Sequence, residues 1–369
     1  MSGATGRSGV GSAGRARGAG SAGGSGSAAV VEAAAQTVAE TAAGPEVFST
    51  VGLPDARRVE LWERHNTAAL VRLDVRANGR PLQAREATVR SARATLARVR
   101  ATSHAIERSA GAIADDPCDA IAVYLMLRGE SSFEQQGAGG SHTLRPGDAI
   151  VCATDRPFAR DFAYGLDELV VKVPCDAFGD AFGEGFEHAR PALPVVTSFG
   201  AEHGDQYADA LAKLTARATR SVQPVPADER TVLDLVAVLA VGVRAARPAA
   251  YRAAARTFIE EHLADPGLGA DQVAAAIGIS ERHLSRVFAA DATSVPRYVL
   301  SRRLELARAL LAAGHSGRSA AGQGWDSVAD LAARCGFVST TYFSHVFRKQ
   351  FGRRAGEILR ESRRTLEDW

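Results

Sequence analysis

Between residues 268 and 351 one short pattern is written twice, and this repeat restricts the C-terminal part of the chain to a helical design. The first copy reads LGADQVAAAIGISERHLSRVF (268–288) and the second WDSVADLAARCGFVSTTYFSHVF (325–347). Each passes from a short Ala-rich helix through Gly plus one apolar residue to Ser, then into a second helix ending in Phe. Glycine at such a bend accepts positive φ, and the serine after it caps the next helix. Two helices joined by so tight a turn form a helix-turn-helix, whose second helix fits a DNA major groove. Two copies at this separation predict a bipartite duplex site.

In the first copy the spacing turns Leu268, Val273, Ala274 and Ile277 inward. Gly278 makes the turn, Ile279 plugs the angle between helices, and Ser280 caps the second helix. There Leu284, Val287 and Phe288 face inward at i, i+3 and i+4. Glu281, Arg282, Ser285 and Arg286 are left outside. Arginine pairs with guanine in a two-pronged contact, and serine bonds a base or a phosphate.

The second copy repeats the plan. Ser327 caps a helix carrying Val328, Leu331, Ala332 and Cys335, with Asp330 at the capping-box position. Gly336 and Phe337 turn the chain, and Ser339 caps the outer helix. Phe343, Val346, Phe347 and Phe351 face inward, leaving Thr340, Thr341, Ser344, His345 and Arg348 exposed. This face is less basic than the first. Residues 295–313 between the copies form an uninterrupted helical stretch, spanning roughly 28 Å at 1.5 Å per residue. That length suits two reading helices about one DNA turn apart, roughly 34 Å.

The net charge of +2 conceals an asymmetry. From Ala250 onward 17 Arg and Lys stand against 13 Asp and Glu, whereas residues 45–249 carry 24 against 27. The positive excess accompanies the repeat, as phosphate contacts require.

Residues 1–44 are rich in Gly, Ser and Ala and cannot offset chain entropy by burial, so a disordered leader is expected, with a weak helix at 28–43. Arg7, Arg15 and Arg17 are not followed by the apolar stretch of a secretory signal. The chain of 369 residues, 46% apolar and 23% charged, has room for two ordinary domains. Order is expected from Glu46, with a helix at 57–66 around Trp62. From Arg72 to Pro174 short apolar or alternating runs (120–127, 142–144, 149–152, 168–173) alternate with Gly and Pro turns. That texture predicts a β-sandwich or a small barrel. Two helices follow at 202–220 and 228–247. The second carries Val232, Leu235, Val236, Leu239 and Val243 on one stripe, which packs on its own barrel or pairs with another subunit. Arg247-Pro248 is expected to end it, followed by a short interdomain link.

The longest nearly apolar run, 231–243, is interrupted by Asp234. It is shorter than the roughly 20 residues a bilayer requires, so a buried helix is expected and no membrane partner. Cys118, Cys152, Cys175 and Cys335 form no CxxC pair, pointing to a reduced, cytoplasmic protein in which Cys335 packs a helix.

The runs SxRHLSRxF (280–288), RRLELA (302–307), SVADLAARCGF (327–337) and FSHVFRKQFG (343–352) together resemble the AraC/XylS family of bacterial transcription regulators over residues 253–359. The resemblance implies a seven-helix DNA-binding domain with two helix-turn-helix units on a long connecting helix. It places base reading at Arg282, Ser285 and Arg286 in the first unit and at Thr340, Thr341 and His345 in the second. Ser280, Glu281, Ser339, Ser344 and Arg348 touch the DNA backbone or support the reading residues. LMLRGE (125–130), LRPGDAIV (144–151) and LVVKVP (169–174) resemble the family's cupin-like ligand-sensing domain.

Three departures from the family pattern stand out: Ala292 stands where Gly is usual, His345 where Arg is frequent, and Arg353-Arg354-Ala355 replaces Ser-Pro. Residues 314–324 (GHSGRSAAGQG) add a flexible connection. With its less basic face and this long connection, the second unit is expected to be the weaker, more adjustable reader and the first the dominant one.

The expected architecture is therefore α+β and multidomain. It comprises a leader (1–44), a cupin-like barrel with helices (45–199), a helical dimerisation or linker region (200–249) and an all-α double helix-turn-helix domain (250–369). The expected partners are double-stranded promoter DNA, a small organic effector in the N-terminal domain, RNA polymerase and a second copy in a homodimer. No cofactor, metal or catalytic residue is assigned. A cupin-type metal enzyme needs three or four converging His or Glu ligands. Residues 141–157 offer only His142, and His65, His104, His188 and His203 are scattered. A DNA-binding protein that senses nothing has no use for some 200 ordered β-rich residues.

Overall fold

The computed structural model describes residues 44–137, 139–178, 193–200, 204–315 and 327–367. The leader up to residue 43, its expected helix, His188, His203 and the connection from residue 316 to 324 lie outside them. Chain order begins with β1 (Glu46–Ser49), α1 (Asp55–Ala69), β2 (Asp74–Ala77), β3 (Ala84–Arg90), β4 (Thr95–Ala101) and β5 (His104–Arg108). After α2 (Ala110–Asp115) come β6 (Ala120–Gly129), β7 (Ser131–Gln135), β8 (Ser141–Leu144), β9 (Asp148–Ala153), β10 (Phe158–Phe162), β11 (Leu166–Pro174) and β12 (Val195–Ser198). Antiparallel pairing builds a seven-stranded sheet, β1-β3-β4-β11-β6-β9-β12, and a five-stranded sheet, β2-β5-β10-β7-β8.

The β6 run is apolar at successive positions because both of its faces are covered. Ala122, Tyr124 and Met126 point into the space between the sheets, whereas Ile121, Val123 and Leu125 point at helices. An antiparallel strand loses its polar alternation when it is packed on both sides. Trp62, Phe133, Phe158 and Phe162 fill the space between the sheets. Arg160 lies among them, forked onto Glu168 at 2.8 and 3.0 Å. Its guanidinium sits 4.3 Å from the Tyr124 ring centroid and 4.6 Å from that of Phe162. Glu168 and the Ser131 hydroxyl engage both terminal nitrogens of this buried charge, while its Nε makes no hydrogen bond among the described residues.

Helices α3 (Gln206–Ala218) and α4 (Glu229–Ala245) cover the outer face of the larger sheet. Asp205 and Asp228 cap them, accepting from Tyr207 N at 2.8 Å and Thr231 N at 3.1 Å. Val232, Leu235, Val236 and Leu239 are buried in this chain's own core, which decides between the two packings open to that stripe. Val243 departs from it and is 48% exposed, because Gly242 at φ 80° breaks the helix just before it.

Helix α4 ends at Ala245, just ahead of Arg247-Pro248 as expected, yet no link follows Pro248. The proline stands in the first turn of α5 (Arg247–Glu261), where its missing N–H leaves no bond unmade. The expected interdomain link is thus replaced by a helix that serves two cores. Ala249, Ala250 and Ala253 pack in the sheet–helix core, and Ala255 and Ile259 pack in the core of the first repeat. Then follow α6 (Ala270–Ala276), α7 (Glu281–Ala289), α8 (Val295–His315), α9 (Val328–Arg334), α10 (Thr340–Phe351) and α11 (Ala355–Glu367).

Polar contacts tie the same junction. Arg256 on α5, 2% exposed, bonds Asp234 on α4 at 3.2 Å and also holds Asp291, just beyond α7. Arg252 forks onto Asp234 at 2.5 and 2.9 Å. The Tyr298 hydroxyl, at the start of α8, donates to Asp228 at 3.2 Å. Burial raises the Asp228 carboxyl, but Arg256 and Arg302 outweigh it and hold the group below the ordinary carboxylate range. Among the described residues no helix is long and apolar enough to cross a membrane.

Candidate nucleic-acid interface

Both repeats fold as read, and their turns share one hydrogen-bond arrangement. In the first, Gly278 N donates to Ala275 O at 3.3 Å and Ile279 N to Ala274 O at 3.0 Å. In the second, Gly336 N donates to Ala333 O at 3.0 Å and Phe337 N to Ala332 O at 2.9 Å. The two glycines serve different needs. Gly278 takes φ 70° in open space, so conformation alone selects it. Gly336, at φ 79°, also lies so close to the Leu263 carbonyl that a Cβ would stand 2.3 Å from it.

Ser280 and Ser339 cap the second helices, accepting from His283 N and Tyr342 N, each at 3.2 Å. Ser327 likewise accepts from Asp330 N at 3.1 Å. Its hydroxyl donates to the Asp330 carboxylate at 2.7 Å, because aspartate is one methylene short of the Glu or Gln that would reach back to the cap N–H.

Leu284 and Phe288 anchor α7 in a core with Val273, Ala274, Val295 and Val299. Burying each large side chain contributes about 1.5–3 kcal/mol. That inward stripe leaves Glu281, Arg282, Ser285 and Arg286 exposed on the other side. Arg282 and Arg286 make no ion pair among the described residues, so both guanidiniums are available to an acceptor from outside.

In the second unit Phe343 and Phe347 are fully buried, together with Leu331, Ala332 and Cys335. Burial pushes the Cys335 thiol up to about 12, the state of a packing residue and not of a nucleophile. Thr340, Thr341, His345 and Arg348 are exposed as expected, whereas Ser344 is half-buried. It lies on the helix flank, one position past the buried Phe343, where the neighbouring core partly covers it. Sequence reasoning missed Val338 and Tyr342, which are 86% and 51% exposed beside the second reading face. Apolar residues at the N-terminal end of an exposed helix were the signal available, and such groups can meet thymine methyls.

Helix α8 joins the units, and its burial divides between them. Val295, Tyr298 and Val299 pack with the first, and Leu304, Ala307, Leu310 and Leu311 with the second. At 21 residues it spans about 31 Å. Where the chain leaves α7, Ala292 takes φ 52°, a left-handed conformation in which the Cβ of an L-residue is crowded.

A helix-turn-helix domain model matches residues 273–361, and an AraC-binding-like domain model matches residues 62–264, more than half of the chain. The transcriptional activator NphR of a Rhodococcus species is 26% identical over 273 residues, covering 72% of this chain and 77% of that protein. The transcriptional activator RhrA of Rhizobium meliloti strain 1021 is 33% identical over 103 residues, 28% of this chain and 30% of that one. Among solved structures, the AraC-like transcriptional activator CuxR aligns with a TM-score of 0.43 at 19% identity, covering 71% of this chain and 94% of that chain.

Proposed function

The chain belongs to the AraC/XylS family of DNA-binding transcription regulators, and from that premise we propose that it activates a promoter by laying both helix-turn-helix units on duplex DNA under the control of a small organic effector. The observation that carries the reading is the free basic face of α7. Arg282, Ser285 and Arg286 stand exposed on a helix whose opposite side is locked by Leu284 and Phe288. They read bases, and Thr340, Thr341 and His345 form the second reading set. Ser280, Glu281, Ser339, Ser344 and Arg348 position the helices against the phosphates.

We divide the chain into a leader (1–44), a cupin-like domain (45–199), a helical region (200–249) and a DNA-binding domain (250–369), with α5 reaching into both flanking cores. The protein works in the cytoplasm, as a homodimer, with RNA polymerase as its partner at the promoter. The β-rich domain senses and does not catalyse. In support, its described histidines lodge apart: His65 stacks on Phe48 at 4.3 Å, His104 on Phe162 at 4.8 Å, and His142 lies on β8.

Genome-wide mapping of bound DNA tests the reading. One recurrent bipartite motif is expected, with stronger base preference in the half-site facing α7. Occupancy spread without any sequence motif overturns it.

A further inference from the structure

A cavity of about 340 Å³ lies outside the sandwich, between α3 and its connection to α4 on one side and α5 and α8 on the other. Its apolar wall includes Leu214, Val225 and Pro226. Four cations line it, Lys213, Arg217, Arg220 and Arg302, against two carboxylates, Glu260 and Glu261.

Both carboxylates are already engaged. Glu260 is held by Arg302, and Glu261 accepts from Lys213 at 3.0 Å. Lys213 also pairs with Asp209 at 2.8 Å. Arg217 is left with Glu260 at 3.8 Å and no side-chain hydrogen bond among the described residues. Arg220 is exposed and has no ion pair among them. Burial pulls the Arg217 guanidinium below the ordinary arginine range; Glu260 opposes the shift, while Arg302 and Arg220 add to it.

An incompletely neutralised guanidinium pair at the edge of an apolar cavity suits an organic anion. The planar fork takes a carboxylate, and the wall takes a hydrocarbon body. We propose that this cavity binds a small organic monocarboxylate, its carboxylate on Arg217 and Arg220 and its single-ring or short-chain body against Leu214, Val225 and Pro226.

The site's place in the fold gives it a role, which rests on the reading of the chain as an effector-controlled regulator. Arg302 on α8 donates to the Pro226 carbonyl at 2.7 Å, so the cavity is bounded by a direct bond between the α3–α4 connection and the helix that joins the two helix-turn-helix units. A ligand seated there touches both bodies. It shifts DNA affinity by as much as it prefers one of their arrangements over another.

Calorimetric titration of the full chain with cyclohexanecarboxylate and hexanoate, and with neutral hexanamide as control, tests the site. Saturable binding of at least one acid is expected, with hexanamide weaker than hexanoate by about tenfold or more. Arg217→Gln should weaken acid binding by about tenfold or more, and Arg217→Lys should restore part of it. Arg220 is exposed, so Arg220→Gln serves as the folded alternative should Arg217→Gln unfold. Ala216→Phe, which narrows the cavity and leaves every charge in place, should abolish binding. Binding of neither acid, equal affinity for hexanoate and hexanamide, or undiminished acid binding in both arginine variants overturns the site. Operator gel shifts separate the two readings. Acid binding through Arg217 with a DNA affinity indifferent to every ligand keeps the site and overturns effector control. A DNA response to a neutral metabolite in a chain that binds neither acid overturns the site and keeps effector control.

Discussion

Replacing Arg286 with alanine removes one two-pronged donor from the proposed reading face of α7 and nothing from the core, because the side chain is exposed. The expected result is a loss of about 1–3 kcal/mol at one base pair of the operator and relaxed discrimination there. Competition binding across single-base operator variants measures it, and a uniform loss over all sequences would instead mark a phosphate contact. Ala292 gives a second prediction. Its φ of 52° is cheap for glycine and costly for alanine, while glycine's looser unfolded chain returns part of the gain. Ala292→Gly should therefore stabilise the protein by about 1 kcal/mol in urea denaturation, with operator specificity unchanged. The exposure of the proposed reading residues was legible because they are what remains after the inward stripe is removed. The residues that hold the junction were not. Asp234 reads in sequence only as a break in an apolar run, and Arg256 as one arginine among many.

Among the elements, α5 carries the largest departure from expectation. A proline and a preceding arginine suggest an ending, yet the same residues begin a helix whose two halves serve different cores. Local rules name a boundary without saying which side of it becomes helical, and packing against both neighbours settles that. Arg256, in the middle of this helix, is the cation shared by Asp234 and Asp291. Arg256→Leu removes one partner from the buried Asp234, which keeps Arg252, and from the half-buried Asp291, which keeps Arg230, and a loss of about 1–3 kcal/mol is expected in chemical denaturation. A loss below about 1 kcal/mol would show that the junction does not depend on this group. The helix-turn-helix pairs, by contrast, were legible almost residue by residue. Their turn hydrogen bonds, caps and apolar stripes are all made within about twenty consecutive residues, where sequence spacing and spatial spacing coincide.

At the level of the whole molecule, a sandwich covered on one face by α3 and α4 buries groups whose ionisation then reports on folding. His104 is 2% exposed, stacked on Phe162, with Nδ1 2.7 Å from the Thr102 carbonyl. Burial lowers its pKa; the Thr102 bond opposes the shift and nearby Arg160 adds to it. A histidine held neutral in the folded state contributes stability that is present above the unfolded value of about 6.5 and lost as pH falls through the lower folded one. Unfolding free energy should therefore decline as pH is lowered from about 6.5, before the carboxylates titrate, and His104→Phe should flatten that part of the profile. An unchanged profile in the variant would assign the decline to another group.

The sequence by itself determined the two reading units, the strand-rich half and the helices that follow it. Each of these depends on a period, a cap or a turn residue acting over a few neighbours. The tertiary structure alone decided what those pieces do to one another: that the α4 stripe faces its own sheet, that α5 belongs to two cores, and that Arg217 and Arg302 line one cavity. These outcomes rest on contacts between residues far apart in the chain, with Asp234 reaching Arg256 and Pro226 reaching Arg302. Such a pairing is favourable only once folding has already excluded water around both partners, and no local pattern encodes that.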